Sequence, residues 1–309
     1  MVVTRLSLPV LAACLLWACS LAACSSTETT WGVYEDGGGG PDQSPFQTAD
    51  LPGRPDGSTV DCATRAKLVY LLDNSANLLS FDPGANPPVV TKLGPLGCGA
   101  AKGDSPFSMA VDRSATAWIL FRSGKLYRVD IETLKCAVTP FVRGEGGFEL
   151  FSQGFVSNSK GGSDETLFIS GGPYFDTGPS DARLGTLDLK TMGVTQVGDV
   201  AGWPEPTGTG DAELWAYYCN TTPPRVSRVD KKTGAEASAF DLPALPANPM
   251  AWAFAFWGGD FWIFHKAGAF GTSMIYRVKR ADGTLAKVMD TGITIVGAGV
   301  STCAPVSID

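Results

Sequence analysis

From Cys62 onward the chain alternates short apolar runs with turn residues in a repeating order. An apolar strand is followed by a turn. A second strand then ends in a basic or polar residue, an apolar residue and Asp or Lys. This second strand recurs as Asn77-Leu78-Leu79-Ser80-Phe81-Asp82, Lys125-Leu126-Tyr127-Arg128-Val129-Asp130 and Arg183-Leu184-Gly185-Thr186-Leu187-Asp188. It returns as Arg225-Val226-Ser227-Arg228-Val229-Asp230 and Met274-Ile275-Tyr276-Arg277-Val278-Lys279. Turn residues follow, as in Lys231-Lys232-Thr233-Gly234 and Arg280-Ala281-Asp282-Gly283. The more apolar strands ahead of these copies are Leu68–Leu72, Ala117–Phe121, Leu167–Ser170, Leu214–Tyr218 and Phe261–Phe264. Several are preceded in turn by a short strand of small and apolar residues: Phe107–Val111, Gly154–Val156 and Ala251–Trp257.

Equivalent positions 82, 130, 188, 230 and 279 are 48, 58, 42 and 49 residues apart. Several strands in a unit of this length is the sequence sign of radially repeated sheets. The pattern resembles β-propellers in general, over about residues 62 to 305, with no complete WD, kelch or NHL signature. The predicted fold is therefore all-β: a β-propeller of about five four-stranded blades. One such sheet has two apolar faces and cannot cover both alone. Packing blades about an axis covers them, with small residues on crowded inner strands and Trp118, Phe168, Trp215 and Trp262 between blades.

The first copy lacks an innermost strand, and the last segment, Val296 to Cys303, resembles an innermost strand with no blade after it. The C-terminal strand is therefore predicted to complete the first blade and close the ring. That closure brings Cys303 toward Cys62, and a disulfide there would lock it. Cys98 with Cys136 is the next candidate pair, which leaves Cys219 as a free, buried thiol. None of these cysteines lies in a CxxC pair or near a histidine, so zinc is not expected.

The N-terminus carries a different signal. A short stretch with one positive charge, Met1 to Arg5, precedes an apolar run from Leu6 to Leu21 that is too short to span a bilayer. The run closes on Leu21-Ala22-Ala23-Cys24, which resembles the lipobox of bacterial lipoproteins. Cys14 and Cys19 fit less well, because Cys14 leaves too short an apolar core and Trp17 breaks the small-residue rule before Cys19. The resemblance implies removal of residues 1–23 and acylation of Cys24, the partner being a lipid bilayer. Ser25 stands where inner-membrane lipoproteins often carry Asp, which favours the outer membrane or cell surface in a Gram-negative host. Residues 24–61, rich in Gly and Pro without apolar periodicity, read as a flexible tether. Residues 62–309 form the folded domain.

Composition narrows the function classes. Charged residues make up 18% of the chain, Gly numbers 37 and Pro 21, as suits a turn-rich globular protein. The net charge of −7, without a Lys/Arg cluster, argues against nucleic acid. No nucleophile elbow, HExxH or P-loop occurs. The single histidine, His265, ends a strand without a sequence partner and reads as structural. Asp112, Asp164, Asp211 and Asp260 each precede an apolar strand. Aligned on one face they could ligate calcium, but Asp at such places more often organises a turn.

Two loops stand out as binding candidates. The insertion Gly171 to Pro179, with Tyr174, Phe175 and Asp176, accounts for the 58-residue interval. A second candidate rim loop holds Trp203 and Thr207 to Asp211. The aromatic cluster Trp252, Phe254, Phe256, Trp257, Phe261, Trp262 and Phe264 reads as blade-to-blade packing, with a sugar-stacking platform as the sharper alternative. No cofactor, metal or catalytic set is expected. The leading reading is a membrane-anchored envelope module that binds a protein or polysaccharide. The alternative is a carbohydrate hydrolase or lyase using the central funnel, assisted by calcium.

Overall fold

The computed structural model describes residues 62–100, 103–173 and 182–308. Within them the chain forms five four-stranded antiparallel sheets arranged as a five-bladed β-propeller. Blade 1 contains β1 (Val69–Asp73), β2 (Asn77–Asp82) and β3 (Val89–Pro95). Blade 2 contains β4 (Pro106–Val111), β5 (Thr116–Phe121), β6 (Leu126–Asp130) and β7 (Cys136–Val138). Blade 3 contains β8 (Leu150–Ser157), β9 (Glu165–Gly172), β10 (Arg183–Leu187) and β11 (Val194–Asp199). Blade 4 contains β12 (Glu205–Gly208), β13 (Leu214–Tyr218), β14 (Arg225–Val229) and β15 (Glu236–Asp241). Blade 5 contains β16 (Ala251–Trp257), β17 (Asp260–Lys266), β18 (Met274–Lys279) and β19 (Leu285–Asp290). The last strand, β20 (Ile295–Val300), pairs with β1 and becomes the inner strand of blade 1, as the sequence predicts.

Burial follows position in the blade. The second strands β1 and β13 are buried at every residue, because both of their faces meet neighbouring blades. The outermost strands, such as β15, are mostly exposed. This difference explains why the second strands read as continuous apolar runs while the outer strands carry little pattern. The hairpins after the third strands of blades 2, 3 and 4 share one device. The carboxylates of Asp130, Asp188 and Asp230 each accept backbone N–H groups two and three residues later, at 2.7–3.0 Å. These are Asx turns that trade a side-chain acceptor for otherwise unpaired donors.

The inner strands β20, β4, β8, β12 and β16 stand side by side in a closed ring. Their crowding demands small residues. A Cβ on Gly208 would lie 2.0 Å from Phe155 O, and one on Gly299 would lie 2.7 Å from Val111 Cγ2. Farther out the blades diverge, and aromatic side chains fill the gap. Phe254, Phe256 and Phe261 pack between blades 4 and 5, while Trp262 and Phe264 meet Phe81 between blades 5 and 1. Burying each such ring contributes about 1.5–3 kcal/mol.

Two disulfides fasten the ring. Cys62 and Cys303 are joined with Cα atoms 5.6 Å apart, and Cys98 bonds Cys136 at 4.8 Å. Cys219 is buried and free. The pairing follows from closure, because β1 begins beside the end of β20, where Val69 pairs with Val300.

Two stability outcomes are expected. The Cys62–Cys303 bridge closes a loop of 241 residues, so Cys62→Ser should lower the unfolding free energy by about 4–5 kcal/mol in urea melts. Gly208→Ala should cost more than about 2 kcal/mol, because its methyl group has no space beside β8; unchanged thermal unfolding would contradict the crowding of the inner ring.

Candidate functional site

All five inner strands run in the same direction, so the ring has two distinct ends. The C-terminal tail covers the end at which the strands finish. Thr302 Oγ1 donates to Glu165 Oε2 (2.9 Å) on blade 3 and accepts from Arg113 Nη1 (3.1 Å) on blade 2. A Cβ on Gly210, in blade 4, would meet Thr302 O at 2.8 Å. Gly258 N, in blade 5, donates to Pro305 O at 2.7 Å. The tail thus touches blades 2 to 5 and is tied at Cys303 to Cys62. We call this the sealed end.

The opposite end, where the inner strands begin, is the mouth. Its half-buried rings include Phe107 and Trp203, edge to face with centroids 6.1 Å apart. Trp203 Nε1 donates to Ser170 O at 3.0 Å, which fixes the loop ahead of β12 against blade 3. Val142, Met250 and Phe270 lie exposed on loops at this end. Below the rim sit polar side chains that ordinary inner strands lack: Ser108, Ser152, Gln153 and Glu205. Gln153 Nε2 donates to Trp118 O (3.1 Å) and Ser108 Oγ (3.2 Å), and Ser108 Oγ donates to Phe151 O (2.6 Å).

Satisfaction is incomplete. Gln153 Oε1, Ser170 Oγ, Glu205 Oε1, Trp252 Nε1 and His265 Nε2 are buried without a hydrogen-bond partner. An unsatisfied buried group costs about 1–3 kcal/mol, so the larger number at the mouth, against Ser157 Oγ and Asp211 Oδ1 at the sealed end, calls for a reason. Strand register explains how they meet. Glu205 opens β12 opposite Tyr217, Trp252 lies near the start of β16 opposite His265, and Ser152 faces Ser170 across β8 and β9. Tyr217 Oη and His265 Nδ1 lie 3.1 Å apart and bridge blades 4 and 5.

Burial tunes these groups toward neutrality. Glu205 is 4% exposed. Desolvation pushes its carboxyl up to about 8, against a smaller opposing effect of the Ser152 hydroxyl. Burial lowers His265 to about 4. The Cys219 thiol is raised by burial and then by Glu205. At neutral pH the mouth therefore presents an uncharged acid and an uncharged imidazole.

The predicted site residues divide between the two ends. Trp203 belongs to the mouth. Asp211 does not: it lies in the turn after β12 at the sealed end, where it pairs with Arg280 at 3.1 Å. Burial pushes its carboxyl up, but the Thr209 hydroxyl and Arg280 reverse this and hold it below the ordinary carboxylate value. The rim loop read at Thr207 to Asp211 is corrected accordingly, since Thr207 and Gly208 finish an inner strand. Tyr174, Phe175, Asp176 and Cys24 lie outside the described residues. The aspartates weighed as calcium ligands serve other partners. Asp112 accepts from Ser114 N, Thr116 N and Trp118 Nε1, and Asp260 accepts from Arg277 Nε and Arg280 N. Among the described residues no three His, Cys, Asp or Glu side chains gather as a metal set. Sequence reasoning passed over Glu205. The signal was present, because the fourth copy needs an inner strand ahead of Leu214 and only Glu205 to Gly208 can supply it.

A pocket on the flank of blades 1 and 2 offers a contrast. It is lined by Arg65, Tyr70, Ser80, Leu93, Glu132 and Leu134, among others. Arg65 and Glu132 pair with each other there, and its lining holds no unsatisfied buried side-chain atom.

No protein-family model matches the sequence, and no curated protein matches it. Among solved structures the chain is similar to TolB from Acinetobacter baumannii at 16% identity and a TM-score of 0.43, over 72% of this chain and 53% of that one. It is also similar to a protein of unknown function from Bacteroides caccae, at 10% identity and a TM-score of 0.43, over 74% of this chain and 84% of that one. A chain of the mitotic checkpoint complex aligns at 12% identity and a TM-score of 0.39, over 78% of this chain and 69% of that one. This chain spans about half the length of the TolB chain it matches.

The buried acid sets a pH dependence. An unfolded Glu205 titrates near 4.5 and the folded one near 8. Between these values the folded chain holds a proton that the unfolded chain lacks, so stability falls as pH rises. Glu165, pushed by burial to about 7, acts in the same sense. His265 acts oppositely and only below its ordinary value of 6.5. The melting temperature should therefore fall between pH 6.5 and 8, by the equivalent of up to about 2 kcal/mol from Glu205. Glu205→Gln should flatten that fall; an equally steep profile in the variant would show that Glu205 is ionised throughout.

Proposed function

We propose that the chain is a lipoprotein of the cell envelope, anchored through an acylated Cys24, and that its propeller is a binding module. One observation carries the binding part. The ring is closed by its own tail at one end, while the other end combines half-exposed aromatic rings with unsatisfied buried polar groups. Binding sites characteristically join an apolar lining to a few placed polar groups. The envelope part is supported by the Leu21-Ala22-Ala23-Cys24 motif and by two disulfides, which persist in oxidising compartments. The partner of the module is an envelope protein or polysaccharide, and Ser25 after the anchoring cysteine favours the outer membrane or cell surface if the host is Gram-negative. A glycoside hydrolase or lyase is the weaker reading: retaining and inverting hydrolases ordinarily use a pair of carboxyl groups, and among the described residues no second carboxylate contributes to the shift of Glu205.

Two measurements test the two parts. In cells fed labelled palmitate, the wild-type chain should carry label and sediment with membranes, and Cys24→Ala should lose both properties. Label retained by the variant would overturn the anchor. The unacylated protein should co-sediment with purified envelopes through the mouth. Phe107→Ala combined with Trp203→Ala should weaken this at least tenfold, whereas Ile308→Ser at the sealed end should leave it unchanged. Equal retention of all three proteins would overturn the assignment of the mouth.

A further inference from the structure

We infer that the mouth between blades 4 and 5 takes an uncharged, hydroxyl-rich ligand, a neutral saccharide, held by Glu205, Trp252 and His265. This rests on the reading of the mouth as a binding site and names its ligand class.

The three side chains share one interface. Cross-strand partners project from the same face of a sheet, so Glu205 lies on the face of Tyr217, and Trp252 on the face of His265. Tyr217 packs with Phe254, Phe256 and Phe261 between blades 4 and 5. Trp252 packs against the same cluster, and the Tyr217–His265 contact crosses it. Each of the three presents one buried atom with nothing to bond: Glu205 Oε1, Trp252 Nε1 and His265 Nε2. Glu205 and His265 are 4% and 2% exposed, so bulk water does not supply the missing partners.

The chemistry of these atoms selects among ligands. Trp252 Nε1 only donates, and the carboxyl oxygen of Glu205 left without a partner can accept. Phosphate and carboxylate groups only accept, and an ammonium only donates. A hydroxyl does both, so neighbouring hydroxyls of one ligand can satisfy the whole set. Charge points the same way. The Cys219 thiol lies close enough to Glu205 to be raised by it, and burial keeps His265 uncharged at neutral pH; the cations at this end, Arg122 over Phe107 and Lys266 on Thr294, lie on other parts of the rim. A charged ligand would be buried without a counter-charge, which is unfavourable. The half-buried Trp252 ring, with Trp203 and Phe107 farther round the rim, offers apolar faces to the C–H surface of a sugar ring.

The test uses the unacylated full-length protein and defined oligosaccharides, with affinity read by calorimetry and tryptophan fluorescence. The probes are a neutral glucan oligomer, an N-acetylated glucosamine oligomer, an oligogalacturonate and a deacetylated, cationic glucosamine oligomer. At least one of the two uncharged probes should bind, and both charged ones should bind at least tenfold more weakly. Glu205→Gln, which keeps an uncharged donor and acceptor, should stay within threefold of wild type, while Glu205→Ala should lose at least tenfold. Trp252→Phe keeps a ring and loses the donor, and should lose at least fivefold. Thermal melts of each variant separate lost binding from lost folding. Preference for a charged probe, or undiminished affinity in both Glu205→Ala and Trp252→Phe, would overturn the ligand class. So would failure of both uncharged probes. If the uncharged probes fail while the Phe107/Trp203 double variant still releases the protein from envelopes, the saccharide falls and the binding module stands. If the double variant has no effect either, both fall.

Discussion

Everything in this molecule depends on how closely five strands can approach a common axis. With only five blades the inner strands are pressed against one another, and backbone meets backbone. Gly208 beside Phe155 O and Gly299 beside Val111 mark places where even a methyl group has no room. The same geometry opens wedges farther out, and there the chain needs bulk. Phe81, Trp262 and Phe264 fill the wedge between blades 5 and 1, and Phe254, Phe256 and Phe261 fill the next one. Small inside and aromatic outside is therefore a single constraint expressed at two radii.

Closure by β20 converts that crowding into a stable ring and gives its two ends different characters. Once β20 has paired with β1, the remaining tail emerges at the axis and lies across the finishing ends of the inner strands. Thr302 then meets Glu165 and Arg113, and Pro305 meets Gly258. At the other end no segment of the described chain plays this part, and polar side chains on the first residues of β8 and β12 remain incompletely bonded. Burial favours the neutral form of Glu205 there, and the hydrogen bond with the Ser152 hydroxyl opposes that shift only in part.

The fold was legible because its third strands end in Asp or Lys at steps of 42 to 58 residues, and its second strands are apolar throughout. Both patterns have physical causes: the Asx turn after the third strands of blades 2, 3 and 4, and burial on two faces. The pairing of Cys62 with Cys303 followed from closure alone. The site was less legible. Glu205-Pro206-Thr207-Gly208 carries no apolar residue apart from a proline, so it reads as loop although it is an inner strand. Its identity is set by neighbours on β8 and β13, which no local pattern records. Trp203 could be picked out as an aromatic in a turn-rich stretch. Asp211, only a few residues on, belongs to the opposite end, because the short strand between them carries the chain through the ring. His265 was visible as the one histidine, but the Tyr217 hydroxyl that orients it comes from another blade.

The position of Cys62 has a mechanical consequence. It lies ahead of β1 and is bonded to a cysteine three residues beyond the innermost strand of its own blade. A pull on the chain ahead of it is delivered through sulfur to the hub of the ring, and β1 is not peeled away one hydrogen bond at a time. Because the bridge holds β1 and β20 at the same end, the two strands move together under load and the force passes to the strands beside them.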